Sequence, residues 1–547
     1  MLQYDLDSRK SGSLYEELVR RMRADIAQGV IAPDEHLPSK RDFARSLGVS
    51  VITVEHAYQQ LVAEGYVRAI QRKGYFANDV GSFAAKMADS LSSAASVKKR
   101  ADTGFASVGS DLVLGAALEE NRALKDAGLG APQGASSASA TGDPVVLSLA
   151  GIPRVLFDLS GGVAPDSFPR QAWSRIVREV VEDAPDELLL KSAPREGLPE
   201  LRRAIAHYVA RARDMQVEPW QVIVGAGAQG LYPVLPRLLG RTRFAVEDPG
   251  YPTLARTYAA NKVEVAQVAM DEKGIDVDAL RASGAQVVHV MPSHHFPTGA
   301  VMPIARRYEL LAWASEGEGR YIIEDDYDCE FRHQGRPIPA LQGIDAAERV
   351  VYLNTFARTV APSLRLGFMV LPAHLAERFR DEWGGEASSV SAIEQMALSR
   401  FLSEGAFDKH VNRMRRHYRE VRDSFLEGLD GLSCSALGKD AGLHFVLDCE
   451  APLDEECLKA ELLEEGVRVR TLSDYFGSPS DSGGVSVCRS DRSEALGKVA
   501  GTTSGQGKAA ASSTKLVICY SGLSASDAAE AAQRVRCVIE RLRPSHA

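Results

Sequence analysis

The chain has 547 residues and a mass of 59.1 kDa, which predicts more than one folded domain and excludes a small disulfide-stabilised scaffold. Hydrophobic residues make up 45% and charged residues 25% of the sequence, fractions that are typical of globular proteins and exclude a wholly disordered chain. A formal charge of −9 does not favour nucleic-acid binding by the whole chain, but it is compatible with a small basic module.

The cysteines and the apolar runs predict the cellular compartment. The seven cysteines are odd in number and include no C-x-x-C pair, which favours reduced thiols over disulfides. The N-terminal sequence MLQYDLDSRKSG has no apolar signal segment, and no run of about 18 apolar residues occurs. We therefore expect a cytoplasmic protein with no membrane span.

Three helices are predicted at the start of the chain. Apolar residues recur every four positions in the first of them: Leu14, Leu18, Met22 and Ile26. Ser39 is placed to cap a second helix, with Asp42 three residues later to reach back, and this helix ends at the turn 47–49. Ser50 caps the third helix, whose apolar face is formed by residues at helical spacing: Val54, Ala57 and Leu61.

The third helix has the features of a recognition helix. Residues near its start or on its other faces are those that would meet base edges: Val51, Ile52, Thr53 and His56. After it, the segments 66–70 and 75–77 read as two strands around a turn that carries Arg72 and Lys73. The pattern predicts an α+β winged helix-turn-helix.

Charge favours DNA as the partner of this module. From Arg9 to Ala77 there are eleven Lys and Arg residues against eight Asp and Glu residues, with cation pairs placed where phosphates would lie. The candidate DNA-binding residues come from the two caps, the recognition helix and the turn between the strands: Ser39, Lys40, Arg41, Ser50, Val51, Thr53, His56, Arg72, Lys73 and Gly74. The alternative is a solvated helical module that contacts proteins.

The segment LPSKRDFARSLGVSVITVEHAYQQLVAEGY, followed by RKGYF, resembles the DNA-binding domain of the GntR family. This resemblance implies a double-stranded DNA operator as the partner. Such domains often carry Arg after the Ser of the recognition helix, where this chain has Val51, so the operator sequence does not transfer.

Composition divides the rest of the chain. Residues 78–151 are rich in Ala, Ser and Gly and predict a linker between domain 11–77 and domain 157–540. In the large domain, apolar runs alternate with helical patterns, which predicts an α/β fold with a mainly parallel sheet. A second low-complexity stretch, 478–514, is predicted to be a surface insertion.

Five predicted strands of the large domain end in polar loops. The loops contain GAGAQG, EDPGYP, PSHHFPTG, EDDYD and NTFARTVAP. Because ligands bind outside the carboxyl ends of strands in open α/β sheets, we expect these loops to form one cleft. The glycine-rich turn at Gly227 and Ala228 is suited to a phosphate, although such turns more often serve packing.

Metal binding is not predicted. Glu324, Asp325 and Asp326 form a carboxylate run, but no His lies at ligand spacing from it. His294 and His295 are adjacent in a loop and make a poor metal pair, so structural or effector-contacting roles are expected of them.

In this order, the motifs resemble those of the MocR (GabR-like) regulators, which join a GntR-type domain to a fold type I aminotransferase-like domain. The resemblance covers residues 11–77 and 157–540 and implies a small C-terminal α+β subdomain and a homodimer. It also implies a site for pyridoxal 5′-phosphate (PLP) in which Asp325 pairs with the pyridine nitrogen, Tyr327 bonds the ring oxygen, Tyr251 stacks on the ring, and Arg365 binds the phosphate.

Arg358 stands where the family carries its Schiff-base lysine, seven residues before Arg365. A guanidinium with a pKa above about 12 cannot act as the primary amine of an aldimine, so we expect no covalent PLP and no ordinary transamination here. Ala357 replaces a serine of the family pattern, and the strand 516–520 has no arginine for a substrate carboxylate. Arg358 itself would then contact a noncovalently held cofactor.

The sequence thus predicts a transcription regulator whose aminotransferase-like domain dimerises and senses PLP or a related small molecule without a covalent aldimine. Two other hypotheses are an active PLP-dependent aminotransferase that uses another lysine, and an interaction scaffold with an empty pocket.

Overall fold

The computed structural model describes Tyr4, Leu6 and residues 13–82, 154–164, 166–333, 338–477 and 513–543. The predicted linker lies outside the described residues from residue 83 onward, and the predicted insertion lies outside them as far as residue 512. The described residues before and after the linker belong to one compact unit.

The N-terminal part is a winged helix-turn-helix. Its elements are α1 (Leu14–Ala27), α2 (Lys40–Leu47), α3 (Val51–Glu64) and the antiparallel pair β1 (Val67–Ile70) and β2 (Gly74–Ala77). Both predicted caps are confirmed: Ser39 Oγ accepts from the backbone N–H of Asp42 at 3.2 Å, and Ser50 Oγ accepts from that of Thr53 at 3.1 Å. Each hydroxyl satisfies a backbone donor that has no partner within its helix.

The large domain is built on an eight-stranded sheet. Its strands are β4 (Val222–Gly225), β5 (Phe244–Asp248), β6 (Val265–Asp271), β7 (Gly274–Ile275), β8 (Val287–Val290), β9 (Tyr321–Asp325), β10 (Val350–Thr355) and β11 (Gly367–Val370). The spatial order is β4-β11-β10-β9-β8-β5-β6-β7. Pairing is parallel from β10 through β9, β8 and β5 to β6, which confirms the predicted mainly parallel sheet.

Helices cover this sheet because its strands are apolar on both faces; β8, for example, is buried throughout. The helices between residues 170 and 403 are α4 (Arg170–Asp183), α5 (Asp186–Leu190), α6 (Pro199–Arg213), α7 (Ala228–Leu231), α8 (Leu235–Leu239), α9 (Pro252–Ala260), α10 (Val277–Ala282), α11 (Ile304–Ser315), α12 (Ala373–Trp383) and α13 (Ala392–Ser403). None of the helices among the described residues has the length and apolarity that a bilayer crossing requires.

The C-terminal part is a smaller α+β layer, as predicted. It contains α14 (Ala406–Gly428), β12 (Ser435–Leu437), β13 (His444–Asp448), α15 (Glu455–Glu464), β14 (Val467–Arg468), β15 (Arg470–Thr471), β16 (Lys515–Cys519) and α16 (Ala525–Leu542). Four of these strands form an antiparallel sheet in the order β12-β13-β16-β15, while β14 pairs with β3 (Phe157–Asp158). Apolar faces of α14 and α16 share one buried cluster with this sheet.

The winged part packs on the large domain at the end of α3. Gly65 follows that helix with φ +82°, and a Cβ built there would lie 2.8 Å from Cβ of Pro303, just before α11. The phenols of Tyr66 and Tyr308 share a hydrogen bond, and one apolar cluster continues from the winged helices to α11. The end of the recognition helix is therefore fixed against the large domain.

Candidate ligand cavity and nucleic-acid interface

A cavity of about 240 Å³ lies where the parallel strands end and the C-terminal layer begins. The loops after β5, β8, β9 and β10 contribute Tyr251, Phe296, Tyr327 and Arg358 to its wall. The remaining lining comes from the start of α9, from neighbouring loops and from the C-terminal sheet: Ser160, Gly161, Pro252, Thr253, Arg256, Leu443, His444, Arg470, Tyr475, Cys519 and Ser521. Four of the five predicted loops thus meet here, while the glycine-rich loop after β4 lies outside the described lining.

Positive charge dominates the cavity. Arg256, Arg358 and Arg470 all line it, and in the part of the chain that the structure describes none of the three lies within ion-pair distance of a carboxylate. Burial raises the pKa of Tyr327, and the positive charge of Arg358 opposes this increase. Three cations without counter-ions favour an anionic occupant.

Arg358, the residue at the predicted lysine position, is part of this wall. It lies in the loop after β10, and its positive charge opposes the increase in pKa that burial causes at Tyr327, Tyr418 and Cys519. A guanidinium stays charged at neutral pH and offers planar N–H donors, so it can grip a phosphate or carboxylate but cannot form an imine.

Asp325, at the end of β9, has one oxygen free for a ligand. Its Oδ2 accepts from the hydroxyl of Tyr232 at 2.6 Å and lies 3.2 Å from Nε2 of His289. Its Oδ1 is buried and has no hydrogen-bond partner among the described residues. Because an unpaired buried carboxylate oxygen is costly, this atom is suited to a protonated ring nitrogen, although Asp325 is not among the residues that line the cavity.

The predicted phosphate ligands lie together beside the cavity. Gly227 caps α7 with φ +72°, and a Cβ there would lie 3.7 Å from the guanidinium carbon of Arg365. Arg365 is exposed, has φ +48°, and donates to the carbonyl oxygen of Ala226 at 3.2 Å. Nε2 of Gln229, in α7, lies 3.3 Å from the hydroxyl oxygen of Tyr251, which lines the cavity. This hydrogen bond connects the helix after the glycine-rich turn to the cavity wall. The roles of Gly227, Ala228 and Arg365 stay predictions.

The carboxylate run 324–326 has three separate environments. Glu324 accepts from the backbone N–H groups of Leu341 at 2.8 Å and Gln342 at 2.9 Å. Asp326 is ion-paired with the buried Arg213 at 2.7 Å. These carboxylates therefore serve different partners from those of Asp325 and do not converge on a common point.

The two loop histidines have structural contacts. Nδ1 of His294 lies 2.9 Å from Oδ2 of Asp328, and Nδ1 of His295 lies 2.8 Å from the hydroxyl of Thr298. His294, Asp328 and His444 also form a buried group whose potential ligand atoms lie within 4.8 Å of one another. A small cavity of about 10 Å³ is lined by His294 and Asp328 together with Arg213 and Arg332. The positive charge of the two arginines opposes the binding of a metal cation there.

Arg470 is a site residue that the sequence analysis missed. It is paired in register with Val517, on the strand where an arginine for a substrate carboxylate was expected and not found. Directly paired residues of neighbouring strands point to the same face of a sheet. Arg470 therefore lies beside Val517, on the face that also carries the cavity residue Cys519. No linear signal marks it, because the pairing joins β15 to a strand on the far side of the low-complexity insertion.

Most of the candidate DNA-binding residues are exposed on the winged part. Arg41, Arg72 and Lys73 are exposed and lack an ion-pair partner among the described residues. Lys40 differs, since its Nζ lies 2.5 Å from Oε1 of Glu55. Val51 is 41% exposed.

The remaining candidate DNA-binding residues differ in their local structure. Ser39 and Ser50 cap helices, Thr53 is half-buried beside Ser50, and His56 is exposed. Gly74 has φ +104° in the turn between the strands, where a Cβ would lie 2.8 Å from Nε2 of His36. A side chain at position 74 would therefore clash, and its role is to keep the turn tight.

Comparison with known families matches both parts of the chain. Residues 166–494, more than half of the chain, match the family "Aminotransferase class I and II", and residues 14–76 match "Bacterial regulatory proteins, gntR family". Solved structures share the large domain's fold. A multiple-substrate aminotransferase from Thermococcus profundus gives a TM-score of 0.59 at 21% identity, covering 74% of this chain and 96% of that one. A kynurenine aminotransferase from Pyrococcus horikoshii gives 0.58 at 20% identity, with coverages of 71% and 92%.

Curated relatives match both parts together. The HTH-type regulator YhdI of Bacillus subtilis is 34% identical over 86% of this chain and 90% of its own. The pyridoxine biosynthesis regulator PdxR of Corynebacterium glutamicum is 31% identical over 88% and 92%. The probable rhizopine catabolism regulatory protein MocR of Rhizobium meliloti is 30% identical over 88% and 91%. The chain therefore belongs to the MocR (GabR-like) family of transcription regulators, in which a GntR-type DNA-binding domain is joined to an aminotransferase-like domain.

Proposed function

We propose that the protein is a ligand-responsive transcription regulator whose aminotransferase-like domain holds PLP or a related anionic small molecule without a covalent bond to the chain. The observation that carries this proposal is the cavity with three arginines and no neutralising carboxylate among the described residues, one of them at the lysine position. Such a cavity favours an anion and lacks the amine that would anchor PLP.

The residues present fit PLP in part. The free Oδ1 of Asp325 suits a protonated pyridine nitrogen, and the aromatic side chains of Tyr251 and Tyr327 suit a flat ring. Arg358 does not fit the anchoring role of a lysine, but it fits that of a phosphate or carboxylate ligand. When bound, PLP supplies an electron sink; the residues of this chain would hold and orient it, and Asp325 would keep the ring nitrogen protonated.

Arg470 extends the proposal to a second anionic group. It lies opposite Val517 and within the cavity wall, so it would bind a carboxylate of the effector while Arg358 binds another anionic group. The effector class is then a small molecule with two separated anionic groups.

Dimerisation is also part of the proposal. Exposed apolar side chains are grouped on α4 and α5: Val181 is 50%, Leu188 38% and Leu190 83% exposed. Apolar surface of this kind is typical of a contact surface, and a dimer would present two winged domains to paired half-sites.

The test is a mobility-shift titration with DNA from the protein's own promoter, with and without PLP. We expect a specific complex that resists competitor DNA and whose affinity changes at least about fivefold at saturating PLP, the lower end of common coupling factors. Arg41→Ala combined with Lys73→Ala should weaken the complex. Absence of a complex above competitor contradicts the DNA-binding role, and an affinity that neither PLP nor any anionic metabolite changes contradicts the sensing role.

A further inference from the structure

The start of the recognition helix exposes two adjacent apolar side chains. Val51 is 41% and Ile52 is 62% exposed, whereas the residues of the core-facing side, Val54, Ala57 and Leu61, are fully buried. Ile52 shares the outward face with His56, four residues later, and both are exposed. The exposed Ile52 side chain therefore lies on the face that a winged helix-turn-helix turns towards base edges.

The polar groups at this helix start are already engaged. Ser50 Oγ accepts from the backbone N–H of Thr53, and the two hydroxyls lie 2.8 Å apart. Glu55, the next polar residue, is paired with Lys40. The side chains of the first two residues of the helix thus offer only hydrocarbon to a partner.

The surrounding positive charge favours DNA over protein as that partner. Arg41 on α2 and Arg72 and Lys73 in the turn between β1 and β2 are exposed, and no ion pair to another described residue engages them. An apolar pair flanked by unpaired cations suits a groove with a phosphate rim. In the major groove, the apolar group that a base edge presents is the C5-methyl of thymine.

We propose that Val51 and Ile52 read thymine methyl groups, so that each operator half-site carries thymines at the base steps facing the start of α3. This inference rests on the proposed DNA-binding function. It replaces hydrogen-bonded base readout at these two positions by apolar contact, and it explains why the two side chains are exposed together.

The experiment removes single methyl groups from DNA. Full-length protein is used to select binding sites from a randomised duplex library, and each thymine of the selected half-site is then replaced by uracil, which pairs identically but lacks the methyl. We expect one or two positions per half-site at which uracil weakens binding about fourfold, the factor for burial of one methylene-sized group. A second set of duplexes carries a C·G pair at those positions. There, 5-methylcytosine, which has a methyl group at the same ring carbon as thymine, should bind more tightly than cytosine.

Protein variants assign the effect to the two residues. In Val51→Ala combined with Ile52→Ala, thymine and uracil duplexes should bind equally, because no side chain remains to contact the methyl. Val30→Ala is the matched control, since Val30 is 65% exposed but lies outside the recognition helix, and it should keep the discrimination. Arg41→Ala should weaken both duplexes alike.

The outcomes separate this inference from the function on which it rests. Equal binding of thymine and uracil duplexes by the native protein overturns the inference while leaving DNA binding intact, and so does discrimination that persists in the double variant. Failure to select any sequence overturns the DNA-binding function and the inference with it.

Discussion

At the level of single residues, the cavity is lined by arginines that have no carboxylate partner among the residues the structure describes. Arg358 is the clearest case, because it stands at the predicted lysine position and a guanidinium stays charged at neutral pH and cannot itself form an imine. Arg470 adds a second charge from β15 of the C-terminal sheet. Under the proposed function, the pair would let this cavity hold an anionic ligand without a covalent bond to a lysine.

Replacing Arg470 should weaken ligands that carry a carboxylate. N-(5′-phosphopyridoxyl)-L-alanine has both a phosphate and a carboxylate, whereas pyridoxamine phosphate lacks the carboxylate. We expect Arg470→Ala to reduce the affinity for the first about tenfold, the loss of one charge-assisted hydrogen bond, and to affect the second much less. Calorimetric titration of both ligands measures the difference.

The control is Arg468→Ala. Arg468 is exposed, belongs to β14 and pairs with Asp158 at 3.2 Å, away from the described cavity wall. An equal loss for both ligands in Arg470→Ala, or the same loss in Arg468→Ala, would show that Arg470 does not bind the carboxylate.

Glu247 makes stability depend on pH. Burial raises its pKa from the ordinary value of 4.5 to about 8. Between these values the unfolded chain loses a proton that the folded protein keeps, so stability present below pH 4.5 is lost as the pH rises through 8. Glu247→Gln is neutral at every pH and should stabilise the protein by about 4 kcal/mol more at pH 8.5 than at pH 5.

Urea unfolding at the two pH values measures this difference. Glu272→Gln, at an exposed carboxylate of the loop after β6, is the control and should show no pH-dependent gain. A gain for Glu247→Gln that is the same at both pH values would mean that Glu247 is ionised in the folded protein.

The cavity-lining residues that the sequence analysis named share one property: they lie just after strands. Tyr251, Tyr327 and Arg358 could be placed in one cleft because parallel strands end at the same sheet edge. Arg470 and His444 could not, because they reach the cavity through pairing within the C-terminal sheet. Such contacts depend on register between distant segments, which no local pattern encodes.

At the level of elements, the ends of the two helices of the helix-turn-helix have different surroundings. Gly48 after α2 and Gly65 after α3 both adopt the left-handed conformation, with φ of +68° and +82°. A Cβ at Gly48 would meet nothing within 4 Å, whereas one at Gly65 would meet Pro303. The two glycines thus have the same backbone conformation and differ in whether a neighbouring residue would contact an added side chain.

Gly48→Ala should cost about 1 kcal/mol, the conformational penalty alone. Gly65→Ala should cost more, because it adds a clash with a proline that cannot move freely. Denaturant unfolding followed by hydrogen exchange of the α1–α3 amides measures both. Equal costs would contradict the packing of α3 against the segment before α11.

Long elements were predictable and short ones were not. The three winged helices follow from periodicity, and the caps of the second and third follow from Ser residues placed before apolar runs. β14 and β15 have two residues each, too few to show alternation, and they became evident only through their pairing. β15 brings Arg470 to the cavity. The strand and the residue were therefore not predicted for the same reason.

At the level of the whole molecule, one segment connects the two functional surfaces. The loop after β8 contributes Phe296 to the cavity wall and ends at Pro303, against Gly65 at the end of the recognition helix. The sequence resemblance anticipated both domains, but it did not indicate where they touch, because that contact depends on tertiary packing.

Dimerisation should depend on the exposed apolar residues of α4 and α5. We expect light scattering to give a mass twice the 59.1 kDa of the chain, and Leu190→Asp to shift the protein towards monomer by placing a charge in the contact. Val30→Asp, at a comparably exposed position of the winged part, should leave the mass unchanged. A native monomer at micromolar concentration would contradict paired half-site binding.

The most direct measurement is a PLP titration of the native protein and of Arg358→Lys, followed by visible absorbance and borohydride reduction. We expect the native protein to bind PLP that dialysis removes and borohydride does not trap, and Arg358→Lys to retain PLP after reduction and denaturation. Trapping of PLP by the native protein would contradict noncovalent binding and show that another lysine reacts. Absence of any PLP binding by both proteins would contradict the assignment of the cavity to this class of ligand.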